Sequence, residues 1–146
     1  MTDTTNDIIR KAAIAAARAA EDKKAKDIMV QEVRELIGVT DYFVIVSASN
    51  PRQVDAIIGE IEDVLREDFG MKSENRELSN DGSWSLLDYG DIVVHVFQED
   101  TREYYRLESL WNEAPILDLA AEGFEDLEYS ERIADVIEKA KKASGE

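Results

Sequence analysis

Cysteine is absent from the 146 residues, histidine occurs once and proline twice. Without cysteine there can be no disulfide, no thiol nucleophile and no cysteine-ligated zinc. Basic residues are also few: 17 Lys and Arg against 33 Asp and Glu give a net charge of −16. A chain this acidic is repelled by phosphate backbones and anionic membranes, so no direct readout of nucleic-acid sequence is expected. A basic protein partner would instead be attracted at long range, although the same charge also serves solubility. Nor is there an apolar run near the roughly 20 residues that cross a bilayer. The opening MTDTTNDIIR has neither a signal-peptide nor a transit-peptide pattern, so the chain is expected to stay in the cytoplasm where it is made.

Phosphate-binding motifs are missing too. Gly38, Gly59, Gly70, Gly82, Gly90, Gly123 and Gly145 are scattered, and neither G-x-x-x-x-G-K nor G-x-G-x-x-G occurs. No G-x-S-x-G elbow accompanies the serines.

The elements that are present alternate between helix and strand. Ile8, Ala12, Ala15, Ala16 and Ala19 recur at helical steps within a predicted helix over 5–24, whose alanine face suits close packing. Short strands follow over 27–33 and 41–49, with a single helical turn between them ending at Gly38. The second strand is apolar on both faces from Tyr42 to Val46, as a strand covered on both sides requires. Asn50-Pro51 starts a helix with Val54, Ile57, Ile58, Ile61, Val64 and Leu65 on one stripe and Gly70 at its end. An edge strand is expected over 71–78. A hairpin is then predicted from Trp84–Asp88 and Asp91–Gln98 around Tyr89-Gly90. Ile92, Val94 and Val96 face one side of its second strand, and Val93, His95 and Phe97 the other. Residues 99–111 read as one helix, with Tyr104, Leu107, Leu110 and Trp111 on its stripe. Beyond Pro115, nine acids meet four bases, and a helix is expected over 129–143.

The stretch WSLLDYGDIVVHVFQED concentrates the candidate chemistry. Asp88 and Asp91 flank the turn and could hold magnesium beside a nucleotide, but nothing in the sequence cradles the phosphates. The alternative of a magnesium- and nucleotide-dependent, nucleotidyltransferase-like enzyme rests on those two aspartates alone. Aspartate is an ordinary turn residue, and a lone histidine on an apolar strand is more often core than catalyst. Catalysis is the weaker reading, and neither a cofactor nor a metal is expected. Trp84, Leu86 and Tyr89 argue for contact instead: an apolar centre ringed by Asp88 and Asp91 suits a basic protein partner.

DYFVIVSASNPRQVDAI followed by WSLLDYGDIVVHVFQEDTREYYRLESLW closely resembles the Iojap-like ribosomal silencing factor family. The resemblance lies in Asp41-Tyr42-Phe43, Arg52-Gln53, Trp84 to Asp91, Val94 to Phe97 and Leu110-Trp111, within residues 8–114. Where the family carries Glu-Gly before the hairpin tryptophan, this chain has Glu77-Leu78. The resemblance implies an α/β fold with a mixed, roughly five-stranded sheet flanked by helices, distantly similar to nucleotidyltransferases. It implies a bacterial, non-catalytic translation repressor that acts when nutrients are scarce. Such a protein binds protein fourteen of the large ribosomal subunit and blocks joining with the small subunit. When free it forms a homodimer. Two regions are expected: a silencing-factor domain over 1–115 and an acidic extension over 116–146. The extension is expected to be dispensable for ribosome binding, and also for folding unless its helix covers apolar surface.

Overall fold

The computed structural model describes residues 4–111 and 113–143. In chain order the elements are α1 (Thr4–Asp22), β1 (Lys26–Glu32), α2 (Arg34–Ile37), β2 (Tyr42–Ala48), α3 (Pro51–Phe69), β3 (Asn75–Leu78), β4 (Trp84–Asp88) and β5 (Ile92–Gln98). They are followed by α4 (Glu99–Tyr105), α5 (Leu107–Leu110), a 3-10 turn (Ala120–Glu122) and α6 (Glu131–Ala143). The five strands form one mixed sheet in the order β1-β2-β5-β4-β3, in which only β2 and β5 are parallel. This is the α/β architecture expected from the sequence.

One face of the sheet lies under α1 and α3. Ala12, Ala13, Ala16, Ala17, Ala19 and Ala20 are buried there, and their small side chains let α1 pack closely on the strands and on α3. Ile9 is buried at the start of this face, whereas Ile8 points to solvent. The α3 stripe (Val54, Ile57, Ile58, Ile61 and Leu65) packs on Val44, Val46, Val94 and Val96 in the same core. Asn50 Oδ1 accepts from the Gln53 backbone N–H at 2.8 Å, and Gln53 Oε1 accepts from the Ser49 N–H at 2.7 Å. Gln53 Nε2 also donates to the Lys23 and Lys24 carbonyls, so the helix start is capped and tied to the end of α1. β2 is buried along its whole length, as its double-sided apolar run predicts.

Two segments depart from their sequence reading. Residues 99–111 do not form one helix. Arg106 adopts φ +51° and ends α4, held there by its own bonds from Nε to the Glu103 carbonyl and from Nη2 to the Glu103 carboxylate. The break buries Leu107 and Glu108 and leaves Tyr104 and Leu110 80% and 69% exposed. The expected common stripe is therefore split. No glycine or proline marks the break, because an ion pair and tertiary burial supply it. The hairpin turn is also one residue longer than read: β5 begins at Ile92 and Asp91 belongs to the turn.

The acidic segment is packed against the sheet. Its first residues extend the β1 edge: Glu32 N–H donates to the Pro115 carbonyl at 2.8 Å and Leu117 N–H to the Val30 carbonyl at 2.9 Å. Leu119 and Phe124 join the first core, and Ile133 is buried. Val136 and Ile137 pack over the second face of the sheet with Met29, Val33 and Ile45. The helix over 131–143 thus covers apolar surface.

Candidate functional site

Strand register lays out the second face as rows. Met29, Ile45, His95, Leu86 and Glu77 form one row across β1, β2, β5, β4 and β3. Gln31, Phe43, Val93, Asp88 and Asn75 form the next. The β1 end of both rows lies under the C-terminal segment. The β4 and β3 end does not, and there Trp84, Leu86, Asp88 and Val93 are only half-buried.

Trp84 wedges between Phe97, ring centroids 4.7 Å apart, and the half-exposed Tyr105, 4.9 Å away. Its Nε1–H donates to His95 Nδ1 at 3.2 Å. That bond leaves the histidine proton on Nε2. Burial depresses the His95 pKa to about 3, so the imidazole is neutral near pH 7 and cannot serve as a physiological proton shuttle. The ring lies 4.8 Å from Phe43 in a T-shaped contact, as befits a core residue. Beside it a hollow of about 510 Å³ opens, lined by Val39, Thr40, Phe43, Leu86 and Val93 with Glu74, Glu77 and Asp88 at its edge. Val39 is 82% exposed at its rim.

Of the residues singled out by sequence, Trp84, Leu86 and Asp88 share this open face. Tyr89 does not. It turns to the opposite side of the sheet, buried in the core beneath α3, and desolvation together with the nearby Glu62 carboxylate raises its pKa to about 12. The reason is the pleat, which alternates sides along β4 and sends Leu87 and Tyr89 inward. Asp91 is exposed in the turn, where its carbonyl accepts from the Asp41 and Tyr42 N–H groups. Asp88 Oδ1 accepts from the Gly90 N–H at 2.8 Å, an Asx-type turn bond around a glycine at φ +86°. Asp88 and Asp91 are thus divided between the sheet face and the turn. Among the described residues no three His, Asp or Glu side chains converge in a way that could hold a metal ion.

Sequence reasoning missed Val39, Glu74, Glu77 and Tyr105 as neighbours of the hairpin. The first three come from loop and edge-strand segments without periodic signal. Tyr105, the last residue of α4, meets Trp84 through a tertiary contact that the helical stripe did not reveal.

Comparison with known proteins places this geometry in context. Residues 6–145 match the family model described as ribosomal silencing factor during starvation. The chain is 43% identical over 104 residues to ribosomal silencing factor RsfS of Bacillus subtilis, covering 71% of this chain and 87% of that one. It is 37% identical to the chloroplastic protein Iojap of Zea mays over 73% of this chain and 46% of that one. A crystal structure of a Chromobacterium violaceum protein superposes with a TM-score of 0.67 at 33% identity, covering 70% of this chain and 85% of its own.

Proposed function

The chain belongs to the ribosomal silencing factor family, and from that premise we propose that it binds the large ribosomal subunit through the open half of its sheet face. The contact falls on protein fourteen of that subunit, a basic protein on the surface that meets the small subunit. Occupying that surface blocks subunit joining and lowers translation under nutrient limitation. The protein acts in the cytoplasm by steric exclusion, with no chemical turnover and no cofactor. When free it dimerises.

The observation that carries this reading is the half-covered face: Trp84, Leu86 and Val93 are left half-buried with Asp88 among them. A protein of net charge −16 that keeps an apolar strip uncovered within an acidic rim is suited to a basic, partly apolar surface. Trp84, Leu86 and Asp88 are the proposed contacts on the face, and Asp91 adds charge from the turn. Tyr89 supports the hairpin from beneath instead of touching the partner. The extension over 116–146 acts on folding and not on ribosome contact. The nucleotidyltransferase alternative gains no specific observation.

Adding the purified protein to separated ribosomal subunits tests the proposal. Joined ribosomes should fall in a sucrose gradient as protein is raised towards saturation, and unchanged joining at saturation would refute it.

A further inference from the structure

Tyr104 is 80% exposed on α4, so burial does not account for an aromatic residue at that position. A lone exposed ring would call for nothing, but Tyr104 ends a row of four. Phe97 is fully buried, and the half-buried Trp84 lies 4.7 Å from it. Tyr105, 52% exposed, follows 4.9 Å from Trp84, and Tyr104 meets Tyr105 edge to face at 5.0 Å. The row therefore leads from the core, through the open half of the sheet face, out to solvent. Neither tyrosine hydroxyl has a hydrogen-bond partner among the described residues.

The backbone and the charge around this row narrow down its occupant. α4 ends in the left-handed conformation of Arg106, which takes Leu107 into the second core and leaves Tyr104 outside it. Asp100 precedes Tyr104 by four residues in α4, one turn away on the same side of the helix. It is exposed and has no ion-pair partner among the described residues. Glu103 differs, being held by both Arg106 and Arg132. The outer side of α4 thus pairs one unengaged carboxylate with one unengaged ring.

We infer that Asp100 and Tyr104 form a second anchor for the basic partner and take one of its arginine side chains. The guanidinium pairs with the Asp100 carboxylate and lies on the Tyr104 ring, which attracts a cation through its electron-rich face. Lysine would satisfy the carboxylate, but its compact, strongly hydrated ammonium stacks less well on a ring. An aliphatic side chain would meet the ring and leave Asp100 unpaired. A second copy of the chain would bring another net charge of −16 to this corner, and a phosphate backbone is repelled by Asp100. The anchor rests on the reading of the open sheet face as the partner-binding surface, and it extends that surface along the aromatic row.

Variants at the two positions test the anchor in binding to purified large subunits. Tyr104→Ala should keep the melting temperature of the parent, since the ring is mostly in solvent, and lose affinity about tenfold. Tyr104→Phe, which keeps the ring, should bind like the parent. Asp100→Asn should lose roughly three- to tenfold, and Asp100→Lys more, because it sets a cation against a cation. Tyr104→Ala and Asp100→Asn combined should lose less than the product of the two separate factors, because both residues hold one group. Parent affinity in Tyr104→Ala would overturn the anchor and leave the proposed function standing. So would Asp100→Lys binding as well as Asp100→Asn, or Tyr104→Phe binding as weakly as Tyr104→Ala. A change in self-association without a change in subunit affinity would assign the corner to a second copy and equally overturn it. If the parent itself fails to bind subunits, the proposed function fails and the anchor falls with it.

Discussion

In a single row of the sheet, Met29 and Ile45 are completely enclosed while Leu86 is half-open and Glu77 exposed. The covered end is closed by Ile116, Val136 and Ile137 and fastened by ionic and polar bonds. Glu108, fully buried, accepts from Arg102 Nε at 3.2 Å and also pairs with Arg132 of α6. Arg102 Nη1 donates to Ser47 Oγ at 2.9 Å and to the Asp27 carbonyl, and Arg132 reaches Glu103 as well. Burial pulls the Arg102 pKa down, and Glu108 opposes that by favouring the charged form. The Tyr129 hydroxyl donates to the Ile28 carbonyl at 2.7 Å, and the Asp27 carboxylate accepts from the Ser130 N–H at 2.6 Å. Asp27 holds φ +51°, a left-handed conformation these bonds sustain. Among the described residues, no buried ion pair fastens the open end. One half of the face is therefore finished within the chain, and the other is left for a partner.

Removing the fastening should produce the largest effect. Glu108→Ala leaves two arginines facing a site built for a carboxylate, and a loss of about 3–5 kcal/mol is expected from urea unfolding. A loss under 1 kcal/mol would mean that the covered half does not depend on this ion pair. Trp84→Ala sharpens the contrast from the other side. Because Trp84 is half-buried, stability should fall by about 2 kcal/mol, below the range for a fully buried aromatic. Subunit binding should weaken by at least 2 kcal/mol, roughly thirtyfold. A stability loss without any loss of binding would make Trp84 a core residue only.

The acid response concerns the floor of the open half. His95 holds its pKa at about 3 against about 6.5 for a free imidazole, so the unfolded chain takes up the proton first. Its contribution to stability is complete above about pH 6.5 and is lost as pH falls, at roughly 1.4 kcal/mol per unit, until about pH 3. Between pH 7 and pH 5 the protein should therefore lose about 2 kcal/mol more than His95→Phe does. Parallel pH profiles for the two proteins would show the imidazole to be solvated instead. The smallest effect is expected at the C-terminal segment: Tyr129→Phe removes one hydrogen bond and should cost about 1 kcal/mol while subunit affinity stays unchanged. Weakened binding in that variant would bring the segment into the interface.

Much of this division was legible in the sequence. The alternation in β5 put Ile92, Val94 and Val96 on one side and Val93, His95 and Phe97 on the other, and the structure shows the first set to be the side covered by α1 and α3. The Asn50-Pro51 start and the Gly70 stop of α3 were equally plain, because both are local backbone chemistry. Tyr89 was grouped with Trp84 on composition, although the same alternation, carried one residue past the strand, puts it opposite. The break at Arg106 and the docking of residues 116–143 could not be read. Each depends on tertiary pairs such as Arg132 with Glu108, which leave no periodic trace in a segment that looks merely acidic. The edge of the open half was hidden for a similar reason, since Glu74 and Glu77 acquire meaning only beside Leu86 and Asp88.

The absence of cysteine permits a direct test of which half meets the ribosome. A photoreactive probe attached to Leu86→Cys would report on the open half, and the same probe on Glu138→Cys, an exposed position of α6, would report on the covered half. Illumination with purified large subunits should cross-link the probe at position 86 to protein fourteen and leave the probe at 138 without a ribosomal partner. Cross-linking to a large-subunit protein from 138 alone would contradict the account.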